Sequence, residues 1–132
     1  MKKYVNVKCL VYLCCILAVL ICSVGSASAQ RRRAAVKNAN WQISVPPNMS
    51  RSNAQLGIRD KYGDTRSFKA AFVVTGPGKK VFRARAAGTG DEWAYINFPD
   101  DFDGTPTKRG TFTVVFYANG VVVGRSTFKF RP

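Results

Sequence analysis

From Trp41 to the carboxyl terminus, apolar and polar residues alternate in short runs that glycine, proline and asparagine separate. An alternation with a period of two is typical of β-strands that bury one face. The first apolar residues of the seven runs are Trp41, Leu56, Phe68, Phe82, Trp93, Phe112 and Val121. Beyond the amino-terminal leader, no segment has the periodicity of a helix. The sequence therefore predicts an all-β domain.

The number and spacing of these runs favour a two-layer architecture. Seven strands in about 100 residues predict an antiparallel, immunoglobulin-like sandwich, and a small barrel is the alternative. Asn119-Gly120 lies between two β-rich runs, which predicts a type I′ hairpin with positive φ at both central residues. The last run changes phase near Gly124, which predicts a β-bulge at that point.

The hairpin region also resembles a known kind of domain. Residues Gly110–Phe130 read GTFTVVFYANGVVVGRSTFKF, and this segment is similar to the closing hairpin of exported bacterial immunoglobulin-like domains. The resemblance implies the sandwich fold. It implies no activity, because a single fold serves many functions.

The first 29 residues have the pattern of a signal peptide helix. Lysines precede an apolar run over Leu10–Val24, and Ala27-Ser28-Ala29 supplies the small residues that a signal peptidase recognises. We expect cleavage after Ala29 and a secreted, periplasmic or cell-surface protein. Arg31–Arg33 follow at once, and positive charge beyond an apolar run resists translocation. Retention of the leader as a membrane anchor is therefore the alternative.

The predicted cleavage gives the signal peptide (1–29), a basic flexible arm (30–39) and the sandwich domain (40–132). The chain has 21 Lys and Arg against 7 Asp and Glu. Three of the basic residues lie in the leader, which leaves 18 against 7 and a net charge of +11. Such a charge favours an anionic polymer of the cell envelope as partner. Nucleic acid is not expected, because export separates the protein from the cytoplasm.

The residue types that are missing narrow the possible chemistry. The sequence has no histidine, and its four cysteines all lie in the leader. The predicted mature domain therefore has no imidazole base, no thiol nucleophile and no disulfide. We expect neither enzyme activity nor a cofactor.

Cationic residues occupy polar positions of three predicted strands. If those strands are neighbours, alternation places the cations on one outer sheet face, where they bind phosphate or carboxylate groups. A solvated outer face is the alternative, since alternation places charge outside in any case. The residues of this predicted basic face are Lys69, Arg83, Arg85, Arg125 and Lys129.

The fifth run has aromatic residues on one of its two sides. If Ile96 faces the core, Trp93 and Tyr95 lie outside near Tyr117 and form an aromatic platform for sugar rings or a partner protein. The opposite orientation places Trp93 between the sheets. The pattern leaves both orientations open.

The loop after the fifth run carries the carboxylates of Asp100, Asp101 and Asp103 before Gly104. Clustered carboxylates on a loop that contains glycine suit calcium, but the closing glutamate of an EF-hand loop is missing. We expect a solvated turn at this loop, with calcium binding as the alternative.

Together these features predict an exported, non-catalytic binding protein of the cell envelope or extracellular space. It is expected to contact an anionic polymer or a partner protein through the basic face. One alternative is a structural subunit that forms homo-oligomers by strand-edge pairing through its final strand. The other is a small enzyme or calcium-dependent binder that uses the Asp100–Asp103 loop.

Overall fold

The computed structural model describes residues 27–50 and 54–132. The chain divides into two compact units, residues 1–32 and 33–132, and every strand described belongs to the second. The apolar run and the cysteines of the predicted signal peptide lie outside the described residues. The second unit begins at Arg33, whereas the sequence places the start of the folded domain at residue 40.

Two sheets enclose the core, so the all-β prediction is confirmed. The smaller sheet has the strand order β1-β3-β6, and the larger sheet has the order β2-β8-β7-β4-β5. The strands are β1 (Trp41–Ser44), β2 (Asn48–Ser50), β3 (Gln55–Asp60), β4 (Ser67–Thr75), β5 (Val81–Thr89), β6 (Ala94–Asn97), β7 (Gly110–Ala118) and β8 (Val121–Arg131). A short 3-10 turn, Pro77–Lys79, joins β4 to β5.

The described residues form eight strands where the sequence predicts seven, and one strand pair is parallel. The additional strand is β2, which runs beside the carboxyl-terminal end of β8 with Met49 opposite Phe130. The Lys129 N–H donates to the Pro47 carbonyl at 2.9 Å. The prediction of a wholly antiparallel sheet is therefore wrong, and the final strand is not an open edge where β2 covers it.

Residues 27–38 are helical, where the sequence predicts a basic flexible arm over residues 30–39. Within the second unit, the side chain of Val36 is fully buried and belongs to the hydrophobic core. The indole N–H of Trp41 donates to the Val36 carbonyl at 2.8 Å. No helix in the described part of the chain has the length and apolarity that crossing a membrane requires.

Phenylalanine side chains fill the space between the sheets. Phe98 follows β6, is 1% exposed and lies at the centre of this cluster. Its ring meets five others edge to face at centroid distances of 5.0 to 5.9 Å, namely those of Phe82, Phe102, Phe112, Phe128 and Phe130. Edge-to-face contact is a favoured geometry for aromatic rings. These inward rings fix which residues of β5, β7 and β8 face outward.

The last two strands form the predicted hairpin. Asn119 and Gly120 have φ of 48° and 79°, as a type I′ turn requires. The register then shifts, because Phe116 lies opposite Gly124 while Tyr117 lies opposite Val122. The extra residue is Val123, directly before Gly124. The predicted hairpin and bulge are both confirmed.

Candidate functional site

The outer face of the larger sheet brings the five predicted cations together. Lys69 lies on β4, Arg83 and Arg85 on β5, and Arg125 and Lys129 on β8. Each is exposed, and the residues beside it on the same strand are buried or half-buried. All five therefore belong to one surface, which we call the basic face.

The cations line two opposite margins of this face. Arg83 pairs with Val73, Val73 with Val115, and Val115 with Arg125, so one row of partners runs across four strands. Neighbouring strands lie about 4.8 Å apart, which separates the two arginine backbones by roughly 14 Å. Lys69 and Arg85 extend the first margin, and Lys129 extends the second.

The strip between the margins is neutral. It consists of the outward residues of β4 and β7 apart from Lys69, among them Val73, Thr113 and Val115. Tyr117 also lies in this strip, opposite Ala71. The structure therefore places Tyr117 on the basic face and not beside Trp93 and Tyr95, which belong to the smaller sheet.

Carboxylates are separated from the basic face. The seven acidic residues lie in turns or loops or at the end of β3. The nearest one along the sheet edge, Asp103, faces the backbone of Arg83 through its own side chain and amide. Within the described residues, none of the five cations makes an ion pair. Their charge is therefore available to an external anion.

Two further arginines adjoin Lys129, and the sequence argument missed both. Arg109 and Arg131 line the same surface hollow as Lys129. A second hollow, between Lys129 and Arg131, is bordered by Asn48 and Ser50 of β2. Arg131 lies two residues after Lys129, so alternation along β8 already places the two side chains on the same face. Arg109 lies in a loop, where alternation gives no orientation.

The aromatic residues of the smaller sheet form a separate outer surface. Trp93 and Tyr95 stack with their ring centroids 5.5 Å apart and their planes 16° from parallel. Tyr95 is 45% exposed, while Ala94 and Ile96 are buried. Trp93 therefore lies on the outside of the sheet and not between the two sheets. We call these two residues the Trp93–Tyr95 pair.

Backbone and cation contacts hold this pair in place. Gly57 lies opposite Tyr95 in the register, and a Cβ there would be only 2.5 Å from Tyr95 Cε1. The Tyr95 ring thus lies against bare backbone. The guanidinium carbon of Arg59 is 4.9 Å from the centroid of the Trp93 ring, within cation–π range. Arg59 Nε also donates to Gln42 Oε1 at 2.7 Å.

Two carboxylates of the predicted acidic loop accept hydrogen bonds from the backbone of β6 and β5. Asp101 Oδ2 accepts the Asn97 N–H at 2.8 Å, and Asp103 Oδ1 accepts the Arg83 N–H at 2.6 Å. No group of three or more potential metal-ligating side chains occurs among the described residues. Asp101 and Asp103 therefore serve as backbone acceptors, and Asp100 lies exposed between β6 and β7.

A small pocket opens at the end of the sandwich, between Pro77, Phe82, Pro106 and Phe112, and its volume of about 200 Å³ is below the roughly 300 to 1,000 Å³ of most small-molecule sites. The hollow beside Lys129 is larger, about 640 Å³, and adjoins the basic face. The basic face and the Trp93–Tyr95 pair are open surfaces and suit extended ligands better. Comparisons with protein-family models, with curated proteins and with solved structures found no match to this chain.

Proposed function

We propose that this protein is an exported, non-catalytic binding domain of the cell envelope or extracellular space that holds an anionic polymer on the basic face. The observation that carries the proposal is the placement of five exposed cations on one sheet face, with no ion pair among the described residues. Cations of one sign on one surface raise the local concentration of polyanions.

We also propose that the domain is immunoglobulin-like. Variable-type immunoglobulin domains place strands A, B, E and D in one sheet and strands C′, C, F and G in the other. The order β1-β3-β6 corresponds to A, B and E without a D strand among the described residues, and the order β5-β4-β7-β8 corresponds to C′, C, F and G. The strand order thus supports the kinship that the sequence of the closing hairpin suggests, and it carries no assignment of ligand.

The two margins suggest how a polymer is held. A chain of phosphates or carboxylates lying along the neutral strip has Arg83 and Arg85 on one side and Arg125 on the other. Arginine forms paired hydrogen bonds to both kinds of anion. Val73 and Val115 between them leave room for the neutral part of the polymer. Binding of this kind depends on many weak charge contacts and needs no pocket.

Isothermal titration with inorganic polyphosphate tests the proposal. A polyanion that engages all five cations is expected to lose affinity with salt at a log–log slope of about −3.5. Arg83→Ala together with Arg85→Ala should reduce the magnitude of that slope by about 1.4. Lys37→Ala together with Lys108→Ala removes the same charge from exposed positions outside the face, and we expect that control to bind as the wild type does.

Two outcomes would contradict the proposal. The first is polyphosphate binding that does not weaken between 50 and 500 mM salt, since contacts between exposed charges are screened over this range. The second is an equal loss of affinity in both double variants, because net charge alone would then account for binding.

A further inference from the structure

The outer surface of the smaller sheet differs in character from the basic face. Its outward residues form successive rows: Ser44, Gly57 and Tyr95 across β1, β3 and β6; then Gln55 and Asn97 across β3 and β6. On the other side of Tyr95, Gln42 pairs with Arg59, and Arg59 contacts Trp93, which directly precedes β6. An exposed ring is thus bordered along the strands by groups that form hydrogen bonds. We propose that this surface is a second binding site, which takes a β-linked, gluco-configured polysaccharide with one pyranose ring on Tyr95.

The contacts of Tyr95 leave part of its ring open to a ligand. Because Gly57 has no side chain, the Cδ1–Cε1 side of the Tyr95 ring lies against the sheet. One face of the ring stacks on Trp93, and the other face contributes to the 45% of Tyr95 that is exposed. The face of an aromatic ring is electronegative. A gluco-configured pyranose carries all its ring substituents equatorially, so each of its faces presents polarised C–H groups. Such a sugar face complements the exposed face of Tyr95.

The spacing of the polar side chains is the second step. Gln55 and Asn97 lie two residues along the strands from Gly57 and Tyr95, which corresponds to about 7 Å. Both are exposed. Hydroxyl groups project from the rim of a pyranose. The side-chain amides of Gln55 and Asn97 are therefore at a suitable distance to form hydrogen bonds with these hydroxyls while the sugar ring packs on Tyr95. Amide side chains both donate and accept hydrogen bonds.

Arg59 adds a preference for acidic sugars. Its guanidinium is held beside Trp93 and by Gln42, and only one of its five N–H groups serves that hydrogen bond. The others remain for a ligand, and a fixed guanidinium suits a carboxylate. A uronic acid is therefore expected to bind more tightly than the neutral sugar of the same configuration.

Titration with cellohexaose and with its C6-oxidised counterpart tests this site. Both are measured at low salt in the Arg83→Ala plus Arg85→Ala variant, which weakens binding to the basic face and so separates this proposal from the previous one without screening the charge of Arg59. We expect both to bind, with the oxidised form favoured. In Tyr95→Leu, an aliphatic side chain still packs on Gly57 but the aromatic ring is lost. This variant should bind each of the two oligosaccharides about tenfold more weakly. Arg59→Gln should remove only the preference for the oxidised form.

Tyr62→Leu provides the matched control, because Tyr62 is 64% exposed and lies in the turn after β3, outside both proposed surfaces. A Trp41→Phe background leaves Trp93 as the only tryptophan, so its fluorescence reports binding at this surface directly. The proposal is overturned if neither oligosaccharide binds at 10 mM. It is also overturned if the two tyrosine variants lose affinity equally, or if Trp93 fluorescence does not change on binding.

Discussion

Replacing Gly88 or Gly57 with alanine makes the same chemical change in two strands, and the structure predicts different results. Neither glycine has a positive φ, so alanine fits both backbones. At Gly88, the new Cβ would lie 2.0 Å from Phe68 Cζ and within 2.5 Å of two more ring atoms. At Gly57, it would lie 2.5 Å from Tyr95 Cε1. Both rings must move.

The difference is the space into which each ring can move. Phe68 is 4% exposed, and Trp41 packs against it edge to face with centroids 4.8 Å apart. Overpacking in such a place costs about 1 to 3 kcal/mol. Tyr95 is 45% exposed and can swing into solvent. Alanine also gains about 0.5 to 1 kcal/mol over glycine inside a strand, which offsets the loss of ring contact.

We therefore expect Gly88→Ala to lower the free energy of unfolding by about 1 to 3 kcal/mol and Gly57→Ala to change it by less than about 1 kcal/mol. For a domain of this size, each kcal/mol corresponds to a shift in Tm of about 4 to 8 °C. Urea titration measures the first quantity, and a thermal melt measures the second. Equal destabilisation by the two variants would refute the packing argument.

Two other substitutions test the carboxylates. Asp60 is fully buried, and its carboxylate accepts hydrogen bonds from the Thr65 N–H and hydroxyl at 2.8 Å each. Asp60→Ala should lower the free energy of unfolding by about 2 to 3 kcal/mol, as measured by urea titration. Asp60→Asn keeps a hydrogen-bond acceptor and should lower it by less. A larger cost for asparagine would contradict this. Asp103 occupies the edge of β5 at Arg83, so Asp103→Ala should expose that edge and increase association at high concentration on a sizing column. An unchanged elution volume would show that the edge is protected in another way.

Alternation was enough to predict the basic face because β4, β5, β7 and β8 are neighbours in one sheet. When strands pair, residues of equal parity share a face, so Arg83 and Arg125 could be placed together without knowledge of their distance. The hairpin at Asn119-Gly120 and the bulge before Gly124 had local signals of their own.

Parity does not say which sheet a strand joins. Tyr117 and Tyr95 both point outward, yet β7 and β6 belong to different sheets, and the predicted platform is divided between them. The three residues of β2 include one buried apolar side chain, Met49, which is too little for a periodic signal. The described helical residues in the predicted arm include one buried side chain, Val36, whose burial is a tertiary effect that local sequence does not signal.

The parallel pairing of β2 with β8 also decides how the domain bears mechanical load. Tension applied between residue 47, directly before β2, and residue 131 draws these two parallel strands in opposite directions along their own axes. The three residue pairs that join them are then loaded in shear at the same time. They do not separate one after another, as they would if the strands were peeled apart. The pairing of β2 with β8 would therefore resist sliding of the two strands past each other more strongly than it would resist peeling them apart.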